Sequence, residues 1–168
     1  MTVRLRIFSK LAALALLGVV PLGAVQAAQT TIQASAKVVK SLTLTSKQDL
    51  DFGIVTLSGT PGTYTVSISM TGIVTCPSGL TCAVAPVPAI LNVAGSNGQA
   101  VRITVAASDL VNAVDGSTIP FTPVAPATIT LTNSGAPGRD FNIGGSIDIP
   151  STADGTYTGN VVVTAEYQ

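Results

Sequence analysis

Apolar and polar residues alternate one by one through most of the chain beyond residue 30. Ile32, Ala34, Ala36 and Val38 alternate with Gln33, Ser35 and Lys37, and after a break at Lys40 the same parity resumes at Leu42 and Leu44. Tyr64, Val66, Ile68 and Met70 alternate with Thr65, Ser67 and Ser69, and Val101, Ile103 and Val105 with Arg102 and Thr104. Ile129 and Leu131 sit among threonines. Phe141 and Ile143, then Ile147 and Ile149, flank Gly144-Gly145, a pair that predicts a bulge or a close backbone approach within a strand. Tyr157, Gly159, Val161, Val163, Ala165 and Tyr167 carry the last run. A period of two marks a half-buried strand, and no segment sustains a helical period. Turn chemistry separates the runs: Ser58-Gly59-Thr60-Pro61-Gly62, Gly95-Ser96-Asn97-Gly98, Asp115-Gly116, Asn133-Ser134-Gly135 and Asp154-Gly155. Short strands at this spacing predict an all-β fold, an antiparallel sandwich or barrel, in one domain over 28–168.

Residues 1–27 carry another pattern. Arg4, Arg6 and Lys10 precede the apolar run LAALALLGVVPLGA, and Val25-Gln26-Ala27 fits a small-x-small cleavage site. These are the three parts of a secretory signal peptide. The run falls short of the roughly 20 residues that span a bilayer, so no membrane span is expected after cleavage. The expected organisation is a signal peptide at 1–27, an N-terminal strand at 28–40 and a sandwich domain at 41–168. Cleavage after Ala27 leaves five basic residues against eight acidic ones, a formal charge of −3. Export places Cys76 and Cys82 in an oxidising compartment, where a disulfide closing the five-residue loop 77–81 is expected.

The chemistry available is narrow. The chain has no His and no Trp, two Cys, 10% charged residues and 4% aromatic residues. Without His there is no His-based general base, catalytic triad or His metal site, and two Cys do not make a structural zinc site. Nucleic-acid binding needs clustered Lys and Arg, which are absent after cleavage. Asp49 and Asp51 share strand parity, as a glycosidase pair would, yet Lys47-Gln48-Asp49 reads more simply as a solvated turn. Asp115-Gly116 and Asp154-Gly155 read as turns, with no ladder of calcium ligands around them. The many Ser and Thr have no base to activate them. No catalytic, cofactor or metal residue is therefore expected, and the reading is of a non-enzyme.

The two ends of the exported chain carry the informative patterns. Segment 28–40 alternates with no turn before it and nothing that marks it as the hairpin partner of the next strand. The last strand alternates almost to the end, with Gly155 fourteenth from the end and Tyr167 next to last. This terminal pattern resembles subunits of bacterial chaperone–usher pili. That resemblance implies an antiparallel Ig-like β-sandwich that lacks its last strand. A periplasmic chaperone lends one in transit, and the N-terminal extension of a neighbouring subunit then replaces it. Carried over, Ile32, Ala34, Ala36 and Val38 become donor plugs, and Gly155, Tyr157, Val161, Val163, Ala165 and Tyr167 line the subunit groove and contact the chaperone. A second set of residues, Leu50-Asp51-Phe52-Gly53, Phe141-Asn142-Ile143-Gly144-Gly145 and Gly155-Thr156-Tyr157-Thr158-Gly159, resembles the secreted bacterial family called domain of unknown function 4402, over roughly 31–167. That family carries no assigned activity, so it speaks to fold.

The function expected is an exported structural subunit of a surface filament, assembled by strand donation. Its partners would be other copies or related subunits, with a periplasmic chaperone and an outer-membrane usher. The alternative is a self-contained secreted sandwich that binds a carbohydrate or a surface partner, although few aromatic residues are present to stack on sugars.

Overall fold

The computed structural model describes residues 27–84, 86–106 and 109–168. The signal-peptide reading falls on residues 1–27, of which 1–26 lie outside the described residues. Every regular element in the described residues is a strand, all pairings are antiparallel, and no helix there is long and apolar enough to cross a membrane.

In chain order, β1 (Thr43–Gln48) is followed by β2 (Ile54–Leu57), then by the hairpin of β3 (Thr63–Ile68) and β4 (Val74–Thr75). β5 (Leu80–Ala83) returns to pair with β2, and β6 (Ala89–Ala94) with β1. β7 (Ala100–Ala106), β8 (Leu110–Asn112) and β9 (Thr118–Ile119) lead to β10 (Phe121–Val124) and β11 (Thr128–Thr130). The chain ends with β12 (Arg139–Pro150), β13 (Tyr157–Thr158) and β14 (Val162–Tyr167).

β12 is the spine of the larger sheet. At ~3.3 Å per residue its length of twelve residues spans about 40 Å. Its first half pairs with β6, beyond which β1 forms the edge. Its second half pairs with β3, while β10 pairs along Gly144 to Ile147 on the opposite edge. The second layer is built from β11-β7-β14 and β9-β8-β13. The expected last strand is thus divided: β13 pairs with β8 and β14 with β7, and 159–161 carry no ladder.

Alternation explains the packing. Phe141, Ile143, Gly145, Ile147 and Ile149 of β12 are buried at every second position, without a register shift at the glycines. Gly144-Gly145 therefore marks close approach and not a bulge. A Cβ on Gly144 would meet the Ile68 carbonyl, and one on Gly145 the Phe121 ring. The buried side chains form two clusters, each drawn from both layers, as a sandwich requires. One joins Leu91, Val93, Val101, Ile103, Ile129, Leu131, Phe141 and Ile143; the other joins Val66, Ile119, Phe121, Ile147 and Ile149. Segment 28–40 has no strand, and Ile32 and Val38 are 86% and 90% exposed. An alternating segment gains strand structure only with a ladder partner.

Candidate functional site: an open groove in the sandwich

The first wall of the groove starts as a continuation of β1. Leu42, Leu44, Gln48, Leu50 and Phe52 are the half-buried positions, all even-numbered. At Gly53 the parity changes, and the half-buried positions of β2 become Val55 and Leu57. The switch needs glycine. Gly53 has φ +69°, and a Cβ there would run into the Val84 carbonyl. Asp51 fixes the corner: its N–H and C=O both bond to Val87, and its carboxylate accepts the Gly53 N–H at 2.8 Å. Beyond the corner the chain leaves β6 and its sheet and pairs with β5. Cys82 of β5 sits opposite Val55 and is bonded to Cys76, so the expected disulfide forms and backs this wall.

The second wall comprises Leu110, Ala153, Tyr157 and Val161. It hangs on Asn112, whose amide is buried. The Asn112 Nδ2 donates to the Asp154 carbonyl (3.0 Å) and its Oδ1 accepts the Val114 N–H (2.9 Å). Gly155, at φ +104°, lies against that amide with no room for a Cβ. Tyr157 Oη and Ser117 Oγ share a hydrogen bond of 2.9 Å. The Ser117 N–H and hydroxyl both donate to the Asp115 carboxylate, and these bonds hold its pKa below the ordinary aspartate value. Ile119, Phe121, Ile147 and Ile149 form the floor, with Phe121 edge-on to Phe52 of the first wall (centroids 6.1 Å apart, planes at 79°).

Between the walls is an open groove of about 830 Å³. Consecutive residues line it, 50–57 on one side and 153–159 on the other, so backbone as well as side chains face it. Among the described residues β2 pairs only with β5, and β13 only with β8. Among the described residues, the acids on its rim are Asp51 and Asp154, and no lining residue is basic. An apolar floor between two strand edges recognises an extended chain through ladder hydrogen bonds and alternate side chains.

The residues singled out from the sequence divide here. Gly155, Tyr157 and Val161 belong to the groove wall. Val163, Ala165 and Tyr167 instead pack on the other cluster, together with Leu42 and Leu44. The four plug positions, Ile32, Ala34, Ala36 and Val38, are exposed. Sequence reasoning missed Asn112, which supports the second wall, and the floor residues Ile119 and Phe121. The Asn-x-x-Asp-Gly spacing at Asn112 to Gly116 was the one local sign of a polar tie.

No curated protein and no solved structure matches the chain. The model of one family, Domain of unknown function (DUF4402), matches residues 42–167, from the strand that opens the sandwich to the one that closes it, and the chain belongs to that family.

Proposed function

We propose that this protein is an exported structural subunit of a bacterial surface filament, in which the groove of one copy takes residues 28–40 of a neighbouring copy as its missing strand. The observation that carries this reading is the groove itself, an opening over an apolar floor between two strands that each pair on one side only among the described residues. Two features favour the N-terminal segment as the occupant. Its alternation presents Ile32, Ala34, Ala36 and Val38 on one face, and those residues are exposed. Before the held residue Lys40 it carries Lys37 and no acid, against a rim that, among the described residues, carries Asp51 and Asp154 and no base. Ala34 and Ala36 are small, so apolar burial at about 25 cal/mol per Å² contributes only several kcal/mol, and ladder hydrogen bonds add to it. On this reading the chain passes through the periplasm, where a chaperone covers the groove, and an outer-membrane usher delivers it to the surface.

The test begins with material shed from the cell surface, run on an SDS gel with and without boiling. A ladder that collapses on boiling and disappears on deletion of 28–40 is the expected result. A single band of monomer in both lanes would sink the filament reading and favour a self-contained secreted sandwich.

A further inference from the structure

The polar contacts of Tyr167 lie at the end of the sandwich away from the groove. Its ring packs on the cluster of Leu131 and Ile143, and its hydroxyl is seated over Gly95, where a Cβ would collide with it. The Ser96 N–H donates to Tyr167 Oη (2.7 Å), and Tyr167 Oη donates to the Lys40 carbonyl (2.7 Å). The Lys40 N–H donates to Ser96 Oγ (2.6 Å). Both backbone groups of Lys40 are thus held, one by the last strand and one by the turn after β6. That turn is itself tied down, because the Gly95 carbonyl accepts from the Gly135 N–H and the Gly98 N–H donates to the Leu131 carbonyl, each at 2.8 Å. Two residues earlier, Val38 is 90% exposed.

One partner is enough to satisfy the hydroxyl of a half-buried phenol. This one has two, and they belong to different parts of the chain. We infer that Tyr167 is a positioning residue: with Ser96 it anchors the chain at Lys40 and so fixes where the N-terminal segment leaves the sandwich and how much of it is free to reach a partner. The delivery of that segment to a neighbour rests on the strand-donation reading. The anchor does not.

Trypsin tests the anchor on the full exported chain, with the fragments quantified by mass spectrometry. Lys37 lies outside the anchor and Lys40 within it, while Arg102 and Arg139 lie in β7 and β12 and report on the sandwich as a whole. In Tyr167→Phe, cleavage after Lys40 should rise about tenfold, the size expected when a hydrogen bond that protects a local segment is lost, with cleavage after Lys37 and Arg102 unchanged. Ser96→Ala, which keeps the phenol and removes the bond to the Lys40 N–H, should raise the same cleavage. Unchanged cleavage after Lys40 in both variants would overturn the inference. So would a parallel rise after Arg102, which would make Tyr167 a support of the whole sandwich. If multimers fail to form while Lys40 stays protected, strand donation falls and the anchor stands.

Discussion

The two ends of the sandwich share one strand, β12, and finish differently. Around Leu131 and Ile143, β1 stays in the larger sheet beside β6, and its Leu44, with Leu42 just before it, packs on the same cluster as Val163, Ala165 and Tyr167 of β14. Around Phe121 and Ile149, the chain turns out of that sheet at Gly53, and β2 pairs with β5 instead. β12 runs through both ends with unbroken alternation, so the larger sheet's spine does not account for the difference. One difference between the ends is the path of the edge strand. Where it stays in its sheet, Leu42 and Leu44 pack on the cluster of Leu131 and Ile143, and where it departs a groove of about 830 Å³ is left over apolar residues. A sandwich can therefore carry an open groove at one end while its spine keeps a single alternating pattern throughout.

The largest expected effect tests that contrast directly. Leu131 is 1% exposed, and Leu131→Ala should cost about 3–4 kcal/mol in urea unfolding, because it leaves a cavity in a closed core. Leu57, half-buried on the groove wall, is already partly in water, and Leu57→Ala should cost about 1 kcal/mol. Equal losses would mean that the two ends are equally closed. Next in size is the disulfide. Replacing Cys76 and Cys82 together by serine frees a short loop, worth about 2 kcal/mol by loop entropy. Cys82 lies opposite Val55, so the loss of protection in hydrogen exchange should centre on β2 and β5 and leave β6 and β7 unchanged. Uniform loss across both ends would contradict the view that β5 supports the groove wall through its pairing with β2.

How much of this was legible in the sequence depends on which interactions are local. The period-two pattern placed Val66, Ile68, Val101, Ile103, Phe141 and Ile147 in strands facing the core, because burial alternates along a strand wherever its register lies. The short loop between Cys76 and Cys82 likewise held the disulfide. The groove was only half visible. The resemblance at the end of the chain grouped Gly155, Tyr157 and Val161, which line this opening, with Val163, Ala165 and Tyr167, which pack on the other cluster. Alternation cannot report the break at 159–161, since parity is kept across it. The role of Asn112 depends on Asp154, 42 residues away, and that pairing exists only once β8 and β13 are side by side. The change of parity at Gly53 stood in the sequence as Phe52-Gly53, yet which sheet the chain entered next was set by β5.

Gly155→Ala sharpens the contrast from the other wall. A Cβ there meets the Asn112 side-chain amide at 2.7 Å, and the backbone has φ +104°, which L side chains rarely adopt. The expected cost is about 1–2 kcal/mol. It should appear as faster hydrogen exchange at Tyr157 and Asn112, which pair across β13 and β8, with β14 unaffected. If β14 exchanges faster as well, the last two strands behave as one element and the division at 159–161 has no mechanical meaning.

The smallest effect compares one acid at each end. Asp140, at the closed end, accepts from the Lys47 ammonium first and the Asn92 amide second, and both hold its pKa below the ordinary aspartate value of 3.8. Asp115, at the open end, is lowered by the Ser117 N–H and hydroxyl, with no cation involved. In each case the folded state binds its proton less readily than the unfolded chain. The stabilisation is therefore fully present above the ordinary value and is lost as the pH falls through the lower, folded-state value. Asp140→Asn and Asp115→Asn should each lower the Tm at pH 6 by a small amount, and both differences should shrink towards zero as the solution is acidified below pH 3.8. Salt separates them. The pair between Lys47 and Asp140 is about half exposed, and at about 1 M NaCl, where the Debye length is ~3 Å, the Asp140→Asn difference should fall while the Asp115→Asn difference persists. A salt response at Asp115 equal to that at Asp140 would show that charge, and not the hydrogen bonds of Ser117, holds the loop beside Tyr157.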